Sequence, residues 1–133
     1  MDLDRLFEAA KRAQGIAYAP YSKFKVGAAV ATPDGAVFAG CNVEIAAYPS
    51  TTCAEEAAIA AMIVAGGRAI AAILVLGEGE ALVTPCGACR QRMREFAAPD
   101  APVHIADVNG VRRSFRLDEL LPFSFGPDNL RLR

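Results

Sequence analysis

Cys53-Ala54-Glu55 and, after 29 intervening residues, Pro85-Cys86-Gly87-Ala88-Cys89 constrain this chain more than anything else in it. Three thiolates can share one tetrahedral zinc only if these two distant segments meet in space. Any fold of the chain must therefore bring them together. Three cysteine ligands leave the fourth position of the metal open, which separates a catalytic zinc from a structural one. Water at such a position becomes acidic enough to react near neutral pH, and a carboxylate that is not a ligand, here Glu55, can carry its protons to a leaving group.

Each element of the pattern also has a plainer explanation. Cys-x-x-Cys alone occurs in redox sites and in half of a zinc ribbon. Thr52-Cys53-Ala54-Glu55 fits the Ser/Thr-x-x-Glu box that caps a helix, which would occupy Glu55 structurally. The conjunction carries the zinc assignment: a third cysteine upstream, a glutamate two residues after it, and a proline before the pair. Both cysteine clusters follow loops and open helices, where free amides and the helix dipole stabilise thiolates.

At 133 residues the length suits one domain, residues 1–133. A hydrophobic share of 53% with 22% charged residues is high for a monomer of this size, and subunit contacts would cover the excess apolar surface. The formal net charge is -1, and the basic residues are scattered in pairs such as Arg112-Arg113 and the tail Arg131-Leu132-Arg133. A nucleic acid polymer is therefore disfavoured as a partner. The opening Met1-Asp2-Leu3-Asp4-Arg5 has no apolar run, so neither a signal peptide nor a membrane span is expected, and a cytoplasmic location is. The fourth cysteine, Cys41, is expected to be a buried small hydrophobe.

Leu3, Leu6, Phe7 and Ala10 recur at helical spacing and predict an amphipathic helix ending near Gly15. Lys25 to Thr32 and Val37 to Asn42 flank Pro33-Asp34-Gly35 and predict a β-hairpin. Thr52 to about Ala65 reads as a helix closed by Gly66-Gly67, and Ala71 to Leu76 as a strand buried on both faces. A helix from Cys86 or Gly87 to Phe96, strands at Val103–Asp107 and around Ser114–Arg116, and a helical turn at Asp118–Leu121 complete the order. The pattern predicts an α/β fold with helices on the faces of a mixed sheet. His104, in a predicted strand, is expected to be structural.

With these motifs in order, the chain resembles the small zinc-dependent cytidine deaminases with three cysteine ligands. The likeness runs from Tyr18-Ala19-Pro20-Tyr21-Ser22-Lys23-Phe24 through Gly40-Cys41-Asn42-Val43-Glu44 and the zinc motifs to Leu121-Pro122-Phe123-Ser124-Phe125-Gly126-Pro127. It implies a three-layer α-β-α fold around a five-stranded mixed sheet, a homotetramer, and one zinc per subunit held by Cys53, Cys86 and Cys89. It further implies that Glu55 shuttles protons and that Phe24 lies against the pyrimidine. Asn42 and Glu44 would bond the ribose 3'-hydroxyl, and the Ala54 backbone would meet the polar edge of the base. Tyr48 and Phe125 would reach a neighbouring subunit's pocket. The expected activity is deamination of the free nucleosides cytidine and deoxycytidine to uridine and deoxyuridine, in pyrimidine salvage.

Two departures stand out. Glu56 occupies a position where the family usually has an arginine that offsets the surplus charge of three thiolates on one zinc. Two unit charges about 4 Å apart interact by roughly 4 kcal/mol at an effective dielectric near 20, so a carboxylate there needs a partner, and Arg90, beside Cys89, is the expected one. Ile45-Ala46-Ala47-Tyr48-Pro49-Ser50 replaces the family's usual Asn-Ala-Ser-Tyr-Gly-Leu and stiffens the loop leading to Cys53. Other readings stay open: a deaminase of another aminated heterocycle, such as a modified cytidine or a blasticidin-like compound, a non-catalytic zinc-binding module, a thiol-redox protein, or a polynucleotide editor.

Overall fold

The structure, a computed structural model, describes residues 2–130; the basic tail Arg131-Leu132-Arg133 lies outside them. Its elements are α1 (Leu3–Gly15), β1 (Gly27–Ala31), β2 (Val37–Cys41), α2 (Ala54–Val64), β3 (Ala72–Leu76), α3 (Gly87–Phe96), β4 (Pro102–Asp107), β5 (Gly110–Arg116), α4 (Leu117–Leu120) and α5 (Pro127–Leu130), with a 3-10 turn at Tyr48–Ser50. The strands form one mixed five-stranded sheet in the order β2-β1-β3-β4-β5. Only β3 and β4 run parallel, joined by the crossover through α3; the other pairs are antiparallel.

Alternation along the strands divides the core into two layers. On one face Ala29, Ala31, Leu74 and Leu76 pack against Leu6, Ala9 and Ala10 of α1. On the other, Ala28, Val30, Ile73, Val75, Val103 and Ile105 meet Ala58, Ile59 and Met62 of α2 and Met93 of α3. All five residues of β3 are buried, as the uninterrupted apolar run Ala-Ile-Leu-Val-Leu requires of a strand covered on both sides.

The topology then places both cysteine clusters. With β1 antiparallel to both β2 and β3, those two strands point the same way. The chain leaves β2 towards α2 and β3 towards α3 at the same end of the sheet. Each helix folds back over the same face, so the two helix N-termini meet at one edge. The segment entering β1, which carries Phe24, lies at that edge too, because Gly27 pairs with both Cys41 and Leu76.

Two glycines make the placement of α2 possible. A Cβ at Gly40 would stand 2.5 Å from the Ala58 amide nitrogen, 2.6 Å from the Ala57 Cβ and 2.7 Å from the Ala54 carbonyl oxygen, so α2 rests directly on the β2 backbone. Gly66, at φ +97°, reverses the chain after α2; the Gly67 amide bonds the Met62 carbonyl at 2.9 Å and the Gly66 amide the Ile63 carbonyl at 3.0 Å. These two bonds form the left-handed helix stop that favours glycine.

Some boundaries differ from expectation. β5 is longer than Ser114–Arg116, because the Asp107 carboxylate accepts the Asn109 amide (2.8 Å) and turns the chain straight back along β4. The helical turn is at Leu117–Leu120 rather than Asp118–Leu121, and α5 was not anticipated. Cys41 is half-buried rather than buried. His104 Nδ1 pairs with Ser114 Oγ across β4 and β5 (2.6 Å), and burial holds its pKa below the ordinary value. No helix among the described residues is long and apolar enough to cross a membrane.

Candidate active site

Cys53 is the N-cap of α2 and Cys86 the N-cap of α3, with Cys89 in the first turn of α3. Their three sulfurs all lie within 4.8 Å of one another. Sulfurs bonded at about 2.3 Å to a tetrahedral zinc stand roughly 3.8 Å apart, so this spacing fits the ion. Their electrostatics also call for a cation. Burial, then the charge of Cys86, raises the pKa of Cys53; burial, then the charge of Glu55, raises that of the fully buried Cys89. For Cys86, burial acts upward but is outweighed by hydrogen bonds from the Cys89 amide and the neighbouring thiols, and its pKa falls. A soft dication satisfies three such sulfurs at once and drives off their protons. The donor set fits one zinc site per chain.

Glu55 sits in the first turn of α2, only 5% exposed, and burial raises its pKa. Its charge acts on all three thiols, so it stands beside the cluster. The plainer explanation offered by Thr52-x-x-Glu55 does not hold. The cap lies one residue later, where Glu56 Oε1 accepts the Cys53 amide at 3.3 Å. Capping falls to Glu56 because the chain is still extended at Cys53, which makes Glu56 and not Glu55 the third residue of the helix.

The expected partnership of Glu56 with Arg90 is also corrected. Arg90 points into the loop ahead of Cys86 and donates to the Pro85 carbonyl (2.7 Å), the Leu120 carbonyl (2.7 Å) and Thr84 Oγ1 (3.1 Å). Its guanidinium is taken up in fixing that ligand-bearing loop against α4. Glu56 pairs instead with Arg92, at 3.5 Å from Nη2 to Oε2. Arg92 lies three residues after Cys89, one helical turn on and on the same face. That spacing was the available sequence signal for it.

Asn42 and Glu44 leave β2 towards the same edge and are both engaged within the chain. Asn42 donates from Nδ2 to the Phe24 carbonyl (2.8 Å) and accepts the Val26 amide at Oδ1 (3.0 Å). Glu44 accepts the Tyr21 and Ser22 amides at Oε1 (3.0 Å each) and the Ser22 hydroxyl at Oε2. Ser22, which the sequence did not single out, also accepts the Phe24 amide (2.9 Å). These bonds staple the segment carrying Phe24, whose ring is partly exposed, to the end of β2. Ala54 is buried at the first position of α2, where backbone amides lack helical partners. Tyr48 is exposed on the 3-10 turn, edge to face with Tyr21 at 6.0 Å between centroids. Phe125 is exposed on a segment held to α3 through Gln91, which donates to the Phe125 carbonyl (2.8 Å), and Arg94, which donates to Ser124 Oγ (2.9 Å).

The Ser22 hydroxyl, then the Ser22 amide, holds the Glu44 carboxyl below its ordinary pKa. A carboxyl depressed in the folded state contributes stability above its unfolded pKa, and that contribution is lost as pH falls through the folded value. Ser22→Ala is therefore expected to lower the melting temperature at pH 7 and to flatten its decline below about pH 4.5. Thermal melts of both proteins across pH 3–7 would show parallel curves if this bond contributed nothing.

A mixed sheet covered by helices, with three thiols and a buried carboxylate at two converging helix N-termini, defines a zinc-binding α/β protein of the hydrolytic class. The family described as the cytidine and deoxycytidylate deaminase zinc-binding region matches residues 1–105, and the chain belongs to it. The cytidine deaminase of Sporosarcina psychrophila is 40% identical over 130 residues, which are 98% of this chain and 96% of that protein. The crystal structure of cytidine deaminase from Burkholderia pseudomallei superposes with a TM-score of 0.87 at 48% identity, covering 94% of this chain and all of the other. That from Mycobacterium tuberculosis gives 0.80 at 37% identity, covering 95% of this chain and 98% of the other.

Proposed function

We infer that the chain is a zinc-dependent hydrolase that deaminates cytidine and deoxycytidine to uridine and deoxyuridine. The observation that carries this is Glu55: a buried carboxylate beside three clustered thiols, with the helix cap supplied by its neighbour Glu56. Cys53, Cys86 and Cys89 would hold the zinc, which when bound makes water a competent nucleophile near neutral pH. Glu55 would take a proton from the attacking water and give it to N3 of the ring. It then carries the second proton to the amino group, which leaves C4 as ammonia while oxygen takes its place. A carboxyl whose proton affinity is raised by burial suits both directions of that transfer. The N-termini of α2 and α3, where the first amides lack intrahelical partners, favour negative charge developing at the reaction centre.

Phe24 forms the wall for the pyrimidine. The Ala54 backbone meets the base's polar edge, and the remaining valences of Asn42 and Glu44 meet the ribose. Tyr48 and Phe125, both exposed, are suited to complete a neighbouring subunit's pocket in a homotetramer with one zinc per subunit. Residues 1–133 then form a single catalytic domain working on small nucleosides in the cytoplasm, and a net charge of -1 offers little to a nucleic acid polymer.

The test is ammonia release, with the fall in ultraviolet absorbance, from zinc-loaded protein given cytidine, deoxycytidine and a panel of other aminated heterocycles. Turnover is expected on both nucleosides. Turnover confined to another heterocycle would redirect the assignment to the stiffened Tyr48–Ser50 turn.

A further inference from the structure

We propose that Arg92 is the charge-compensating residue of the metal site, doing from α3 what an arginine at position 56 would do from α2. Its Nη1 donates to Cys89 Sγ at 3.5 Å, while Nη2 stands 3.5 Å from Glu56 Oε2. Glu56 in turn accepts the Cys53 amide. A continuous polar chain therefore runs from the N-cap of α2, through Glu56 and Arg92, to a sulfur on α3.

The charges decide what this chain does. Zinc with three thiolates carries a net charge of -1, and an isolated carboxylate at position 56 would add to it. Glu56 and Arg92 together are neutral, and the cationic end is the one in contact with sulfur. Glu56 thus orients a cation onto Cys89 instead of opposing the site. Formation of an anionic complex from neutral thiols is favoured by a fixed positive charge beside them. Arg92 and Glu56 line a groove between α2 and α3 together with Ile59, Ala60 and Phe96. Burying the stem against apolar surface while the head stays polar is ordinary for arginine. Both side chains are partly exposed, 39% for Arg92 and 38% for Glu56, so the contact is open to screening by salt.

The assignment rests on the three cysteines being zinc ligands, and its test needs no substrate. Zinc dissociation constants of wild type, Arg92→Met, Arg92→Gln and Arg92→Lys would be measured at pH 7 by competition with a chromophoric chelator, at low and at high salt. Met keeps the packing of the stem, Gln keeps a hydrogen bond, and Lys keeps the charge. Met and Gln are expected to bind zinc about tenfold more weakly at low salt, and Lys within about threefold of wild type. The deficit should shrink as salt rises. Wild-type affinity in the Met or Gln variant overturns the proposal. So does a deficit that Lys shares in full or that salt leaves untouched, since either is the mark of packing. If wild type binds zinc but releases no ammonia from cytidine, the functional inference fails while the assignment of Arg92 is still decided by the chelator data.

Discussion

Replacing Glu55 with Gln is expected to lower the rate of ammonia release from cytidine by about 10²- to 10⁴-fold, the range associated with a positioned acid–base group. The side chain is 5% exposed, so an isosteric amide keeps the packing and removes only the proton-carrying function proposed for it. Zinc should stay in place. Burial is the main cause of the raised pKa of Cys89 and Cys53, and the Glu55 charge adds to it, so a neutral residue eases loss of their protons and should leave zinc affinity equal or tighter. That combination, lost turnover with retained metal, separates a proton carrier from a structural residue. A Gln variant with a tenth or more of wild-type turnover would sink the assignment.

The second large effect is expected far from the chemistry. Gly40→Val places its Cβ within 2.5 to 2.7 Å of Ala58, Ala57 and Ala54, and two of those three atoms are backbone. Backbone cannot turn aside, so α2 must lift from β2. Overpacking of this kind costs about 1–3 kcal/mol, which corresponds to a fall in melting temperature of roughly 4–11 °C for a chain of this length. The same displacement moves Cys53, the N-cap of α2, away from Cys86 and Cys89, so zinc affinity should fall along with stability. Gly15→Ala is the control, since nothing lies within 4 Å of the added carbon. Equal melting temperatures and zinc affinities for wild type and Gly40→Val would show that α2 is not seated by contact at Gly40.

Much of this arrangement was legible in the sequence, because its strongest signals are local. The apolar run of β3, the periodicity of α1 and the Pro33-Asp34-Gly35 turn each depend on near neighbours in the chain, and each appears within a residue or two of expectation. The convergence of the three thiols was legible because metal ligation demands it. What escaped depends on side-chain direction. Whether Glu55 or Glu56 caps α2 turns on the backbone conformation of a single residue, Cys53. Arg90 and Arg92 both follow Cys89 closely, but a two-residue step swings the side chain by about 200° around a helix, since 3.6 residues make a turn. One arginine therefore meets the Pro85 carbonyl and the other meets Glu56. The internal bonds of Asn42 and Glu44 were likewise invisible, because a polar residue at a strand end carries no mark of which partner it will find.

Those bonds change the energetics of binding. The segment carrying Phe24 is fastened by Asn42, Glu44 and Ser22 before any nucleoside arrives, so the conformational entropy of ordering it is lost during folding and not during association. On the proposed reading of Phe24 as the wall for the pyrimidine, that wall is in place before the base arrives. Calorimetry of inhibitor binding should then show a small entropic penalty and a heat-capacity change close to that of the buried apolar area alone, while loosening the fastening at Ser22 should make the same association more exothermic, entropically costlier and weaker.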